Sequence, residues 1–185
     1  WILPDNEGEG AIGNILSKFS VTGWAIRFFS PGINALGFAH TGGTNLIRTA
    51  SDSTVTLDVW SHFLMTWDGS TTAANVHIYI NGTEVTYQTT TDGATLGSDA
   101  AGNFRIGTND VGDRTWDGSI AEFAIWSGGA ITASEITALS RGISPLRVLS
   151  KTLVGYWPIY GVGSPEPDYS GNGNNGTVTG TTIVA

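Results

Sequence analysis

Glu122 is the one carboxylate placed inside a strongly apolar, strand-like run, SIAEFAIW at residues 119–126. A carboxylate there could act as acid or nucleophile on a glycosidic bond. That chemistry needs a second carboxylate across the scissile bond, about 5 Å away in retaining enzymes. Two residues to either side stand Ile120 and Ala124, so the strand offers no partner on the same face. The expected role of Glu122 is to face solvent or to pair with an arginine such as Arg105. His40, His62 and His77 are scattered without metal-ligand spacing. There is no G-x-S-x-G nucleophile elbow, and Gly128-Gly129 does not open a G-x-G-x-x-G phosphate loop. Hydrolysis, zinc chemistry and nucleotide binding are therefore not expected, and the chain reads as a non-enzyme.

Calcium is the cofactor with some support. The loop DYSGNGNNG at residues 168–176 gathers short oxygen-bearing side chains among glycines, and calcium takes about six to eight hard oxygen ligands. Asp168, Asn172 and Asn174, with backbone carbonyls, are the candidate ligands. The loop lacks the terminal glutamate of an EF-hand, and a polar turn explains the same residues. Asp110, Asp113 and Asp117 make a second acidic group with the same alternative. For carbohydrate, the requirement is an exposed aromatic face beside polar groups. Trp24, Trp60, Trp67 and Trp126 alternate with apolar or small residues and read as core. Trp116 in a polar loop, Tyr87 at a strand end and Tyr169 in the glycine-rich loop are the candidate exposed platforms. Such aromatics also anchor protein interfaces.

The elements that must carry these residues are β-strands. The chain of 185 residues holds 26 glycines and 7 tryptophans, with abundant Thr and Ser, a composition suited to tight turns and pleated strands. Its net charge of −8 argues against nucleic acid or an anionic membrane as partner, since both need a basic face. No apolar run approaches the ~20 residues of a membrane span, and without cysteine there is no disulfide framework. Strands are expected at residues 12–19, 23–30, 35–40, 44–49, 54–59, 60–67, 75–81, 83–87, 103–107 and 119–126. Val76, Ile78 and Ile80 alternate with His77 and Tyr79, and Asn81-Gly82 suits a type I′ hairpin turn. Residues 89–102 read as a surface loop. One helix is expected over residues 133–141, with Thr132 and Glu135 as a capping box and Ile136 and Leu139 facing the sheet. The repeated WDGS at residues 67–70 and 116–119 reads as two Asp-Gly turns rather than a repeat architecture. Trp24, Ile26, Phe63, Met65, Ile78, Ile80, Ile106, Phe123 and Ile125 are the expected core.

The order WSHFLMTWDGS, VHIYINGTEV, FRIGT, WDGSIAEFAIW resembles the laminin-G-like branch of the concanavalin-A-like lectin and glucanase jelly rolls. The resemblance implies an all-β, concanavalin-A-like β-sandwich of two antiparallel sheets with one short helix. It runs over most of the chain, and its motifs speak to fold far more than to ligand. Trp1-Ile2-Leu3-Pro4 reads as the tail of a strand. The block LVGYWPIYG followed by DYSGNGNNGTVTG is similar to a segment that many members carry at their N-terminus. We therefore expect a jelly-roll body at residues 1–150 and a strand block at residues 151–185 that completes the sandwich or contacts a neighbour. The branch is mostly binding and adhesion modules, of the kind found in bacteriophage and bacterial surface proteins. Two functions remain open on this reading: a carbohydrate-binding adhesion module, or a structural virion subunit that packs against neighbouring subunits. Both imply an extracellular or virion-surface location and membership of an assembly.

Overall fold

The computed structural model describes residues 1–29, 33–148, 152–161 and 163–181. Within them lie thirteen strands and one α-helix, an all-β fold of antiparallel sheets. The strands are β1 (Ile2–Pro4), β2 (Asn14–Phe19), β3 (Gly23–Phe28), β4 (Leu36–Thr41), β5 (Leu46–Ala50), β6 (Phe63–Thr66) and β7 (His77–Ile80). They continue with β8 (Thr83–Glu84), β9 (Tyr87–Thr91), β10 (Asn103–Ile106), β11 (Gly118–Ile120), β12 (Phe123–Trp126) and β13 (Leu153–Trp157). The helix α1 spans Ala133–Ser140. The chain forms two compact units, Leu3–Gly118 and Trp1–Ile2 with Ser119–Ala185.

The larger unit holds a six-stranded antiparallel sheet in the order β10-β2-β3-β4-β5-β9, and a three-stranded sheet β6-β7-β8. Alternation along β3 and β4 sends Ile26, Phe28, Leu36, Phe38 and His40 to one face, where all are buried. Trp67, just after β6, meets this face through Phe38 and His40, with ring centroids 5.0 and 5.6 Å apart. Burying aromatic and aliphatic groups of this size contributes about 1.5–3 kcal/mol each. The β7–β8 turn has φ values of 52° at Asn81 and 81° at Gly82, the paired positive values of type I′.

Several expectations need correction. Residues 54–59 form no strand: Ser53 just before the segment and Asp58 within it take positive φ, near 59° and 58°, which breaks its extension. Residues 89–91 belong to β9 rather than to a loop. Leu64 is the most buried residue of β6, whereas Phe63 and Met65 are half-buried. Trp60 is exposed rather than core.

In the smaller unit β12 pairs antiparallel with β13, placing Phe123 opposite Trp157 and Ala124 opposite Tyr156. Gly155 is required here, since a Cβ would lie 2.1 Å from the Trp157 ring. The capping box at Thr132 and Glu135 is present in both directions, and Ile136 and Leu139 are buried. Gly176 makes a single bridge to Glu166. Residues 182–185 of the expected strand block lie outside the described residues.

Candidate functional site

The run at residues 119–126 is not one strand. It breaks between β11 and β12, and Glu122 sits in the break with φ of 54°. A positive φ on a non-glycine residue costs about 1–2 kcal/mol, and here it turns the side chain out of strand alternation. The Glu122 N–H donates to Pro158 O at 3.0 Å, which ties the break to the end of β13. The Glu122 carboxylate accepts a short hydrogen bond from the Tyr156 hydroxyl and a longer one, 3.4 Å, from Tyr160. The expected solvation or Arg105 pairing of Glu122 is thus replaced by two phenols. Tyr156 is buried on β13, its ring edge-on to Tyr169 at 6.4 Å. Burial, and then the Glu122 charge, raises the Tyr156 pKa. The Glu122 charge is the main cause of the same shift at Tyr160. Both phenols therefore stay protonated donors throughout the physiological range. Tyr160 is 63% exposed and Tyr169 52%, so two aromatic faces and a carboxylate edge present themselves together.

Asp168 organises the loop that carries Tyr169. Its Oδ1 accepts from the Tyr156 and Ser170 N–H groups at 3.0 and 2.8 Å. Its Oδ2 accepts from Ser170 Oγ and the Asn174 N–H, both at 2.9 Å. These donors hold its pKa below the usual carboxylate value despite opposing desolvation. Asn172 Nδ2 donates to Leu153 O and Val154 O, and Asn174 Nδ2 to Val154 O. Four hydrogen bonds occupy the roughly four lone-pair sites of a carboxylate. The three residues expected to ligate calcium thus form a clasp that stitches the loop to β13. A cation at Asp168 would compete with these four hydrogen bonds. Among the described residues no three His, Asp or Glu side chains converge as a metal site. The Asp110, Asp113 and Asp117 group is likewise spread over turns, with Asp113 accepting from Asn109 at 2.7 Å.

Of the three candidate platforms, Tyr169 is exposed and the other two are not. Tyr87 lies in the larger unit with the Arg48 guanidinium 3.5 Å from its ring centroid. Its hydroxyl accepts from the Ile78 N–H and donates to Glu84, both at 2.9 Å. Burial is the main cause pushing its pKa up to about 12. Trp116 stacks on Phe28 at 5.3 Å and 6°, so one ring face is taken by the core. Both are corrections to the expected exposure. Tyr87 is held by a cation and two hydrogen bonds, and Trp116 by an aromatic stack. His62 is buried, and its strand start is tied by two 2.8 Å bonds with Asn81. His77 pairs with Glu84 at 2.7 Å.

Tyr156 and Tyr160 were not singled out from sequence. The spacing Y-W-P-I-Y was visible, but strand alternation through Tyr156 and Trp157 points only to packing. No helix among the described residues is long and apolar enough to cross a membrane. A laminin-G-type family model, described as the concanavalin A-like lectin/glucanases superfamily, matches residues 1–137. Neither the curated proteins nor the solved structures yield a match.

Proposed function

For a chain that belongs to the concanavalin A-like lectin/glucanase superfamily, we propose a non-catalytic recognition role in which carbohydrate binds at Glu122, Tyr160 and Tyr169. The observation that carries this reading is the pair of exposed tyrosines beside a carboxylate already polarised by two phenols. Sugar C–H faces rest on aromatic rings, and sugar hydroxyls donate to a carboxylate edge; tyrosine supplies both surface and hydroxyl at low entropy cost. Hydrolysis is not part of the proposal. Asp168, of the same unit, has its oxygens spent on the loop and is held ionised, which suits neither a proton donor nor a free nucleophile. The domain would act as an adhesion module of an extracellular or virion surface protein.

Glycan-array binding by the intact chain tests this. Tyr160→Ala and Tyr169→Ala are each expected to weaken the strongest signal by more than about 1 kcal/mol, as central aromatic contacts do. Unchanged binding in both variants would remove the site. Turnover of a bound polysaccharide, lost in Glu122→Gln, would replace recognition with catalysis.

A further inference from the structure

Two non-glycine residues with left-handed backbone sit on either side of one hydrogen bond in the smaller unit. Glu122 has φ of 54° and Ile159 has 59°, and the Glu122 N–H donates to Pro158 O between them. For a β-branched residue such as Ile159 this conformation is an outlier, kept only where its surroundings over-determine it. Here the Ile159 N–H donates to Glu166 Oε1 at 2.8 Å, and Glu166 is buried and bridged to Gly176. The next residue, Tyr160, is thereby left 63% exposed while its hydroxyl still reaches Glu122 at 3.4 Å. Tyr169 is fixed from the other side. Its N–H donates to Tyr156 O at 2.8 Å, and its ring lies edge-on to the Tyr156 ring at 6.4 Å. Strain concentrated where two exposed rings and a carboxylate are held in place marks this corner as a site built for a ligand, and its chemistry says which.

The polar edge of the corner can only accept. Tyr156 and Tyr160 each hold a single O–H, and both direct it at Glu122. What remains on the two phenol oxygens and on the carboxylate is lone pairs. Two of the roughly four acceptor sites of the Glu122 carboxylate are taken, whereas all of those on Asp168 are filled. Glu122 is half-buried, so its remaining sites are not sealed from solvent. Its charge is also unbalanced. Residues 152–185 contain Glu166 and Asp168 but no lysine or arginine, and the ion pairs among the described residues, Lys18–Asp99 and His77–Glu84, do not include Glu122. The Trp1 amino group donates to Ala121 O at 2.7 Å, and burial, against the pull of the Glu122 charge, lowers its pKa to about 6; it is mostly neutral at physiological pH and leaves the carboxylate uncompensated. The tyrosine faces add the negative side of their quadrupoles, which attracts cations as well as C–H surface. An ammonium group carries three donors, a positive charge and no lone pair, and so matches every one of these features. A hydroxyl matches the donor requirement alone, and a carboxylate or sulfate matches none.

We propose that the Glu122, Tyr160 and Tyr169 corner selects amino sugars with a free amine, as units of a cationic polysaccharide. The ammonium donates to the Glu122 carboxylate, and the C–H face of the sugar ring lies on the exposed tyrosines. The choice of a saccharide rests on the recognition role proposed above; the requirement for a cation rests on the acceptor-only edge.

The test is binding of the intact chain to tetramers of glucosamine, N-acetylglucosamine and glucose with the same linkage. The glucosamine tetramer should bind roughly tenfold more tightly than the glucose tetramer, and the advantage should shrink as potassium chloride rises. Glu122→Gln, which keeps the side-chain length and an acceptor for both phenols, should bring the two affinities together. Asp58→Asn removes the same charge from an exposed site in the larger unit and should leave the advantage intact. If it lowers the advantage as far as Glu122→Gln does, the net charge of −8 is attracting the cation without a site, and the proposal falls. Melting curves accompany each variant. Should Glu122→Gln fail to fold, Tyr160→Leu decides in its place, since that side chain is 63% exposed; loss of the ring should cut the advantage to roughly threefold. An advantage unchanged in whichever variant folds overturns the proposal. Equal affinity for the glucose and glucosamine tetramers, or tightest binding of the acetylated one, also overturns it and leaves the carbohydrate reading standing. If none of the three binds, that reading falls as well.

Discussion

The Glu122 corner and the arginine-bearing face of the six-stranded sheet are built in opposite ways. Around Glu122 every strong polar group has a partner inside the protein: phenols donate to the carboxylate, and Asp168 is saturated by the loop it holds. On the sheet face that carries Arg27 and Arg105, no ion pair among the described residues involves an arginine, and Asn14 Oδ1 and Arg105 Nε are buried without a partner. Both depend on a departure from regular strand geometry, a positive φ at Glu122 and a register shift at Asn14. The difference is in what the departure is used for. A satisfied cluster presents its outer surface, here two tyrosine faces, while its inner groups fix position. An unsatisfied cluster instead carries the desolvation cost of its unpaired groups.

The comparison can be broken most severely by removing the C-terminal block. A chain ending at residue 150 loses β13, the clasp, Tyr156 and Tyr160, so Glu122 loses its two phenol donors and β12 its pairing strand. We expect aggregation or loss of cooperative melting, with rescue by the separate peptide. A soluble protein with the wild-type melting temperature would show that the smaller unit does not depend on β13. A narrower cut is Asp168→Ala, which removes four hydrogen bonds to a charged acceptor and is expected to cost about 3 kcal/mol. Arg27→Gln removes the contact with the Phe29 ring and should cost only about 0.5–1 kcal/mol. If denaturant titration ranks these two variants the other way, satisfied and unsatisfied have been assigned to the wrong regions.

A third prediction concerns pH. Burial is the main cause lowering the His62 pKa from 6.5 to about 4. Between those values the unfolded chain binds the proton and the folded one does not, so stability falls as pH falls through this window. The full loss is about 3 kcal/mol. Asp168, whose folded pKa is depressed, loses its contribution at lower pH, below the usual carboxylate value. His62→Gln should flatten the melting temperature between pH 6.5 and 4 without changing the more acidic limb, and a retained slope would place its cause elsewhere. The smallest expected effect is that of calcium. A ligand that binds only the folded state raises its stability with concentration. With the Asp168 oxygens occupied, melting curves in calcium and in EDTA should coincide, and a concentration-dependent rise would show that the clasp opens to admit the ion.

Much of the scaffold was legible because period and turn chemistry are local. Ile26 and Phe28 alternate, Asn81-Gly82 adopts the positive φ pair, and Thr132 with Glu135 caps its helix as the spacing required. The segment at residues 54–59 misled because alternating Thr, Val and Leu suits a strand only where a neighbour is available to pair. Tyr87 and Trp116 misled in a related way. Tyr87 opens strand β9 and lies under the Arg48 guanidinium, and Trp116, in a polar segment, stacks on Phe28.

By itself the sequence determined an all-β antiparallel fold, its helix, most of its strands, and a net charge of −8, because each of these follows from residue type, spacing or a simple count. Tertiary structure decided where the chemistry lies. That Glu122 meets Tyr156 and Tyr160 depends on one residue leaving the strand alternation. That Asn14 comes to lie opposite Arg27 depends on a register shift and on which strands become neighbours. Local spacing cannot encode either outcome, since strand pairing between distant segments is a cooperative choice of the whole chain.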